Sequence, residues 1–180
     1  MFHAIRRRED DAGPGDVVGM LLDCHRRIRH FTALAVALPD ATAVPPAEIA
    51  SAAAGVVRYF AEALPLHAAD EDASIAPRLL ALGLPEAVRA AVLSMTVQHG
   101  GLELTLASAL PRWQAVAADP ACLPAHAAAL RGLAARLSAQ WDEHLGLEET
   151  TIFPALRELI SPSEQDTIRR EMRARRAAPT

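Results

Sequence analysis

The sequence predicts an all-α fold, an antiparallel up-down four-helix bundle followed by a short C-terminal helix. Three observations carry this expectation. Hydrophobic residues make up 51% of the 180 residues, with alanine and leucine dominant and strand-length β-branched or aromatic runs nearly absent. Such residues lose little on entering a helix, so helices are favoured and no sheet is expected. Apolar residues also recur at intervals of three and four over four long segments, the spacing that lines one helix face. The segments are joined by short connections carrying proline and glycine, and short connections make consecutive helices antiparallel neighbours.

Residues 1–15 are expected to be an N-terminal extension, residues 16–160 the bundle, and residues 161–180 a short helix and tail. The first helix starts at Asp16, a suitable N-cap after Gly13-Pro14-Gly15, and runs to Leu38. Its inward stripe is Leu21, His25, Ile28, Thr32 and Ala35. His30 is turned about 140° from His25 and faces solvent. A linker from Pro39 leads to a second helix from Pro46 to Leu82, and Gly83-Leu84-Pro85 stops it and starts a third, with Pro85 in the first turn. That helix presents Val92, Met95, His99, Leu102 and Leu106 and ends by Ala118; after Asp119-Pro120 and Pro124 a fourth runs to Ile160 through Leu130, Leu133, Leu137, Trp141 and His144. Ser161-Pro162-Ser163-Glu164 has the spacing of a capping box. Pro65, Pro77 and Pro154 lie inside predicted helices, where each removes a backbone hydrogen bond. They either bend the helix or end it.

The chemistry rests on a repeat. His-x3-Glu-x3-Ile-x-Pro-x-Leu occurs at His67, Glu71, Ile75, Pro77 and Leu79, and 77 residues later at His144, Glu148, Ile152, Pro154 and Leu156. His and Glu four apart share one helix face, so two such helices facing each other offer two nitrogens and two carboxylates to one centre. With His25 and His99 the inward-facing histidines number one per helix. Six buried polar groups on facing stripes cost several kcal/mol for each unpaired ion, and a bound cation removes that cost. Imidazole and carboxylate suit iron, zinc and manganese, and Cys24 and Cys122 form no metal-binding or redox spacing and read as free thiols.

Charge excludes little but points away from some partners. The net charge of −4 gives no general attraction to nucleic acid or anionic lipid. The arginines at Arg6 to Arg8 and from Arg169 to Arg176 read as solvated helix ends or a frayed tail. No apolar run near 18 residues and no leader pattern is read, so a cytoplasmic protein is expected.

The stretches Asp23-Cys24-His25-Arg26, Leu64-Pro65-Leu66-His67-Ala68-Ala69-Asp70-Glu71-Asp72 and Glu143-His144-Leu145-Gly146-Leu147-Glu148-Glu149 resemble the hemerythrin-like, or HHE cation-binding, family, in its branch with four His and two Glu ligands. The resemblance implies a non-heme di-iron centre, two iron ions bridged by carboxylate and oxo or hydroxo groups, with manganese or zinc as substitutes. It assigns His25, His67, Glu71, His99, His144 and Glu148 as ligands, with Glu71 and Glu148 bridging. Where the oxygen-carrying branch has a fifth histidine this chain has Glu103, which stands either as a seventh ligand or as an acceptor for an imidazole N–H. Tyr59 is either a neighbour of the site or an ordinary buried aromatic.

By this likeness the protein binds or senses a small oxidant or diatomic (O2, peroxide or NO), or handles iron, as a monomer or homodimer without nucleic-acid or membrane partners. The alternatives are a di-iron enzyme with catalase- or peroxidase-like activity and an iron donor of the iron–sulfur cluster repair type. Members of the last group carry a cysteine-bearing N-terminal domain, whereas residues 1–15 contain no cysteine. A purely structural bundle remains a third kind of reading.

Overall fold

In the computed structural model, which describes residues 16–41 and 43–177, every regular element among the described residues is helical. The expected N-terminal extension and the extreme C-terminal tail lie outside the described residues. Helix α1 is Val17–Ala37, α2 is Pro46–Leu80, α3 is Glu86–Ala118, α4 spans 123–159, and α5 is Pro162–Ala177. The first four pack as a cycle in chain order, with α4 closing against α1. The boundary signals act as their chemistry requires. The Asp16 carboxylate accepts from the Val18 N–H at 3.3 Å, and Ser161 and Glu164 exchange capping bonds, with the Glu164 N–H donating to Ser161 Oγ at 3.3 Å and the Ser161 N–H to Glu164 Oε2 at 3.3 Å. Pro85 is the residue before α3, in extended conformation (φ −53°, ψ 141°), rather than part of its first turn.

The prolines inside α2 and α4, Pro65, Pro77 and Pro154, neither end those helices nor leave a broken ladder. Each is preceded by a wide π-helical turn: Tyr59–Ala63 before Pro65, Glu71–Ile75 before Pro77, and Glu148–Ile152 before Pro154. In each, the residue before the proline donates five positions back, Leu64 to Tyr59 O, Ala76 to Glu71 O and Phe153 to Glu148 O. The wide turn relieves the crowding a proline ring imposes on the preceding turn, and the helix continues. It also explains the buried residues spaced strictly by four, His67-Glu71-Ile75-Leu79 and His144-Glu148-Ile152-Leu156. In a regular helix each such step overshoots a full turn by about 40°, so three steps would carry the last residue well off the core face. The wider turn takes up that overshoot.

The apolar core is divided in two. One cluster includes Ile28, Phe60, Leu64, Leu102, Trp113, Leu137 and Trp141; the other includes Leu21, Ile75, Leu79, Met95, Ile152 and Leu156. On each of the first four helices the inward histidine falls at the change-over, as with His25 between Leu21 and Ile28, or His99 between Met95 and Leu102. A polar layer thereby lies between two apolar clusters, and such surroundings lower the local dielectric.

Helix α5 has 16 residues and is a docked element rather than a short cap. Ile168 and Met172 are fully buried in the second cluster. Arg175 and Arg176 are not solvated as expected: Arg175 Nη1 lies 2.8 Å from Asp70 Oδ1 and Arg176 Nη2 lies 2.7 Å from Asp70 Oδ2. Asp70 is 0% exposed, and burying a carboxylate demands such partners. Arg175 also donates to Ser74 Oγ, Ser74 to Glu171, and Arg78 holds Glu171 through both guanidinium nitrogens.

The sequence reading found no membrane-length apolar run, yet α2 has an 18-residue window with a mean hydropathy of 1.2, long and apolar enough to cross a membrane by length and composition. In the bundle this helix is packed against α1 and α3 and carries His67, Asp70 and Glu71 inward or into ion pairs.

Candidate metal centre

The structure brings together six of the seven candidate ligands. His25 comes from α1, His67 and Glu71 from α2, His99 from α3, His144 and Glu148 from α4, and none is more than 7% exposed. Each carboxylate stands between two imidazoles. Glu148 Oε2 is 3.0 Å from His25 Nε2, and Glu148 Oε1 is 3.0 Å from His144 Nε2. Glu71 Oε1 is 3.3 Å from His67 Nε2, and Glu71 Oε2 is 3.2 Å from His99 Nε2. The groups divide into two overlapping sets, His25-His67-Glu71-Glu148 and Glu71-His99-His144-Glu148, with potential ligand atoms inside each set within 4.8 Å of one another. Both carboxylates belong to both sets, so Glu71 and Glu148 would be shared in holding metal here.

The residues fit such ions by a direct observation. All four Nε2 atoms and all four Glu71 and Glu148 oxygens are buried without a well-formed hydrogen bond, although they face one another closely. Leaving eight buried polar atoms unsatisfied is costly, and cations would satisfy all of them at once.

The wide turns place the carboxylates. Glu71 and Glu148 each open a π turn one helical step after their histidine, so the repeat seen in the sequence is a repeat in backbone geometry. Wide turns of this kind concentrate at functional sites.

Three of the four imidazoles are held from behind. His25 Nδ1 lies 2.7 Å from Glu149 Oε1, whose carboxylate is gripped by Arg29 at 2.8 and 3.1 Å. His99 Nδ1 lies 2.9 Å from Asp72 Oδ2. His144 Nδ1 lies 3.0 Å from Gln98 Oε1, and Gln98 Nε2 donates to Glu143 at 3.2 Å. An acceptor on Nδ1 keeps the proton there and leaves the Nε2 lone pair for a cation. These acceptors were missed in the sequence reading. Two of them, Asp72 and Glu149, sit directly after a motif glutamate, and this doubling of acids was the available signal. His67 differs, because its Nδ1 is buried and finds no acceptor among the described residues.

Charge is finely divided. Burial pushes His67 down to about 3, so it is neutral near pH 7. Burial and the neighbouring Glu148 carboxylate push Glu71 well above the usual range. Burial acts upward on Glu148 as well, but the His144 and His25 imidazoles outweigh it and hold that group low.

Glu103 is not brought into the cluster. It is exposed and belongs to neither ligand set. It lines instead a cavity of about 330 Å³ between α2, α3 and α4, which includes His67 and His99 in its wall. Tyr59 is a buried aromatic stacked on Phe31 at 4.3 Å between ring centroids, with its hydroxyl donating to the Cys24 carbonyl at 3.4 Å, and it stands outside both ligand sets. Trp141 is a core residue edge-on to His144. His30 is exposed, as its position on α1 requires.

In comparisons with known proteins, residues 16–156 match the family model described as Hemerythrin HHE cation binding domain. No curated protein gives a significant match.

Proposed function

From the premise that the chain belongs to the hemerythrin HHE cation-binding family, we propose that it is a non-heme di-iron protein that binds or senses a small oxidant or diatomic, O2, peroxide or NO. The observation that supports this most strongly is the sharing of both carboxylates between two His-containing sets. His25 and His67 in one set and His99 and His144 in the other, with the shared Glu71 and Glu148, would hold the metal. Bound iron would supply a site for a small ligand and one-electron chemistry.

The protein's own groups do the rest. His25, His99 and His144 are fixed in orientation by Glu149, Asp72 and Gln98, and apolar clusters flank the polar layer on either side.

Iron loading followed by metal analysis and near-ultraviolet absorption tests the reading. Two irons per chain with the absorption of an oxo-bridged ferric pair are expected; failure to hold a second ion would overturn it. A peroxide-consumption assay on the loaded protein separates binding from turnover, since a rate no higher than that of free iron excludes catalase-like activity.

A further inference from the structure

The cavity beside the centre is larger than a diatomic needs. At about 330 Å³ it has roughly twice the volume of an engineered apolar cavity that accommodates benzene. Its inner wall is Phe60, Leu64, Leu102, Leu106 and Trp141, all buried and apolar, together with the edges of His67 and His99. Its rim is Ala61, Pro65, Ala107 and Glu103, all exposed. Three physical arguments then select the occupant. Hydrogen peroxide would forfeit its hydrogen bonds against such a wall, whereas an apolar body gains about 25 cal/mol for each Å² it removes from water. A carboxylate-bearing ligand such as a fatty acid would meet the Glu103 carboxylate at the entrance. One polar group suits the inner end, where the imidazole edges of His67 and His99 enter the wall.

We propose that this cavity is the binding site for an organic hydroperoxide, a neutral molecule with an apolar body and roughly ten heavy atoms in all, its oxygen end directed toward His67. The proposal rests on the reading of the centre as an oxidant site and narrows the oxidant's class.

Binding is testable without redox chemistry. The zinc-loaded protein is titrated with 2-phenyl-2-propanol, the inert alcohol of an aryl hydroperoxide, and followed by tryptophan fluorescence, to which Trp141 in the cavity wall contributes. Saturable binding is expected, at least tenfold weaker in the Ala61→Phe/Ala107→Phe double variant, whose changes lie at exposed rim positions. A carboxylate of the same heavy-atom count, phenylacetate, should bind at least tenfold more weakly than the alcohol, and Glu103→Lys should remove most of that difference. Non-saturable binding, or equal affinity in the rim variant with unchanged circular dichroism, overturns the proposal. Loss of iron binding would instead sink the di-iron reading, which this titration does not touch.

Discussion

Asp70 is a carboxylate with no exposure, held by two arginines from the last helix whose side chains are 23% and 32% exposed. That asymmetry sets the expected energetics. Replacing both Arg175 and Arg176 by Ala strands a buried charge, a change that costs about 3–5 kcal/mol. The cost is capped by an escape route, because undocking α5 would hydrate Asp70 at the expense of exposing Ile168 and Met172, about 3–6 kcal/mol for two buried side chains. The two figures overlap, so the double variant should lose about 3–5 kcal/mol with α5 partly detached. Asp70→Ala removes the buried charge and leaves two arginines that are partly solvated and keep other acceptors, Arg175 on Ser74 and Arg176 on the Met172 carbonyl. It should cost about 1–3 kcal/mol, as expected for lost charged hydrogen bonds. Adding Asp70→Ala to the arginine double variant should then restore stability. Urea unfolding of metal-free protein, completed as a mutant cycle, measures each quantity. If the triple variant is as unstable as the sum of its parts, the stranded-charge argument fails.

Other consequences can be checked directly. His144→Ala should fail to retain two ions per chain, whereas His30→Ala and Glu103→Gln should keep both, as read by metal analysis. Chelation should lower the melting temperature, since an ion at one hundred times its dissociation constant stabilises by about 2.7 kcal/mol; an unchanged curve would contradict the ligand assignment. Asp72→Ala, which removes the acceptor behind His99, should weaken metal affinity about 10- to 100-fold in competition with a chelator while leaving the fold intact. The Arg78 and Ser74 hydrogen bonds hold the Glu171 carboxyl below its ordinary value. Its contribution is therefore complete above the unfolded value of about 4.3 and is lost as pH falls through the lower folded one. Amide exchange in α5 should accelerate over that acidic window, and Glu171→Gln should flatten the response.

Much of the bundle could be read from residues alone because the inward stripes are dictated by period. Leu21, His25, Ile28, Thr32 and Ala35 are all buried, as are Val92, Met95, His99, Leu102 and Leu106. The meeting of His25, His67, Glu71, His99, His144 and Glu148 was foreshadowed by the repeated motif, since buried polar groups at matched heights have few other uses. The π turns were not anticipated, although the strict spacing of four from His67 to Leu79 carried their signature. A search tuned to 3.6 residues per turn treats that spacing as ordinary helix. The arginines of α5 were misplaced for a different reason: their partner Asp70 lies 105 residues away from Arg175, and no local pattern announces a pairing at that distance. Glu103, four positions after His99, faces the rim of a cavity and lies outside both candidate groups.

The wide turns also constrain how this chain tolerates change in length. Each accommodates one surplus residue relative to a regular helix, so losing a single residue between positions 72 and 74 would restore ordinary winding there. Ile75 and Leu79 would then follow His67 by seven and eleven residues of regular helix, each within about 20° of the same face, so the apolar stripe would hold while the Pro77 ring is set against an intact ladder. Substitutions in these segments alter a side chain, whereas a one-codon deletion would reset the winding of half the site.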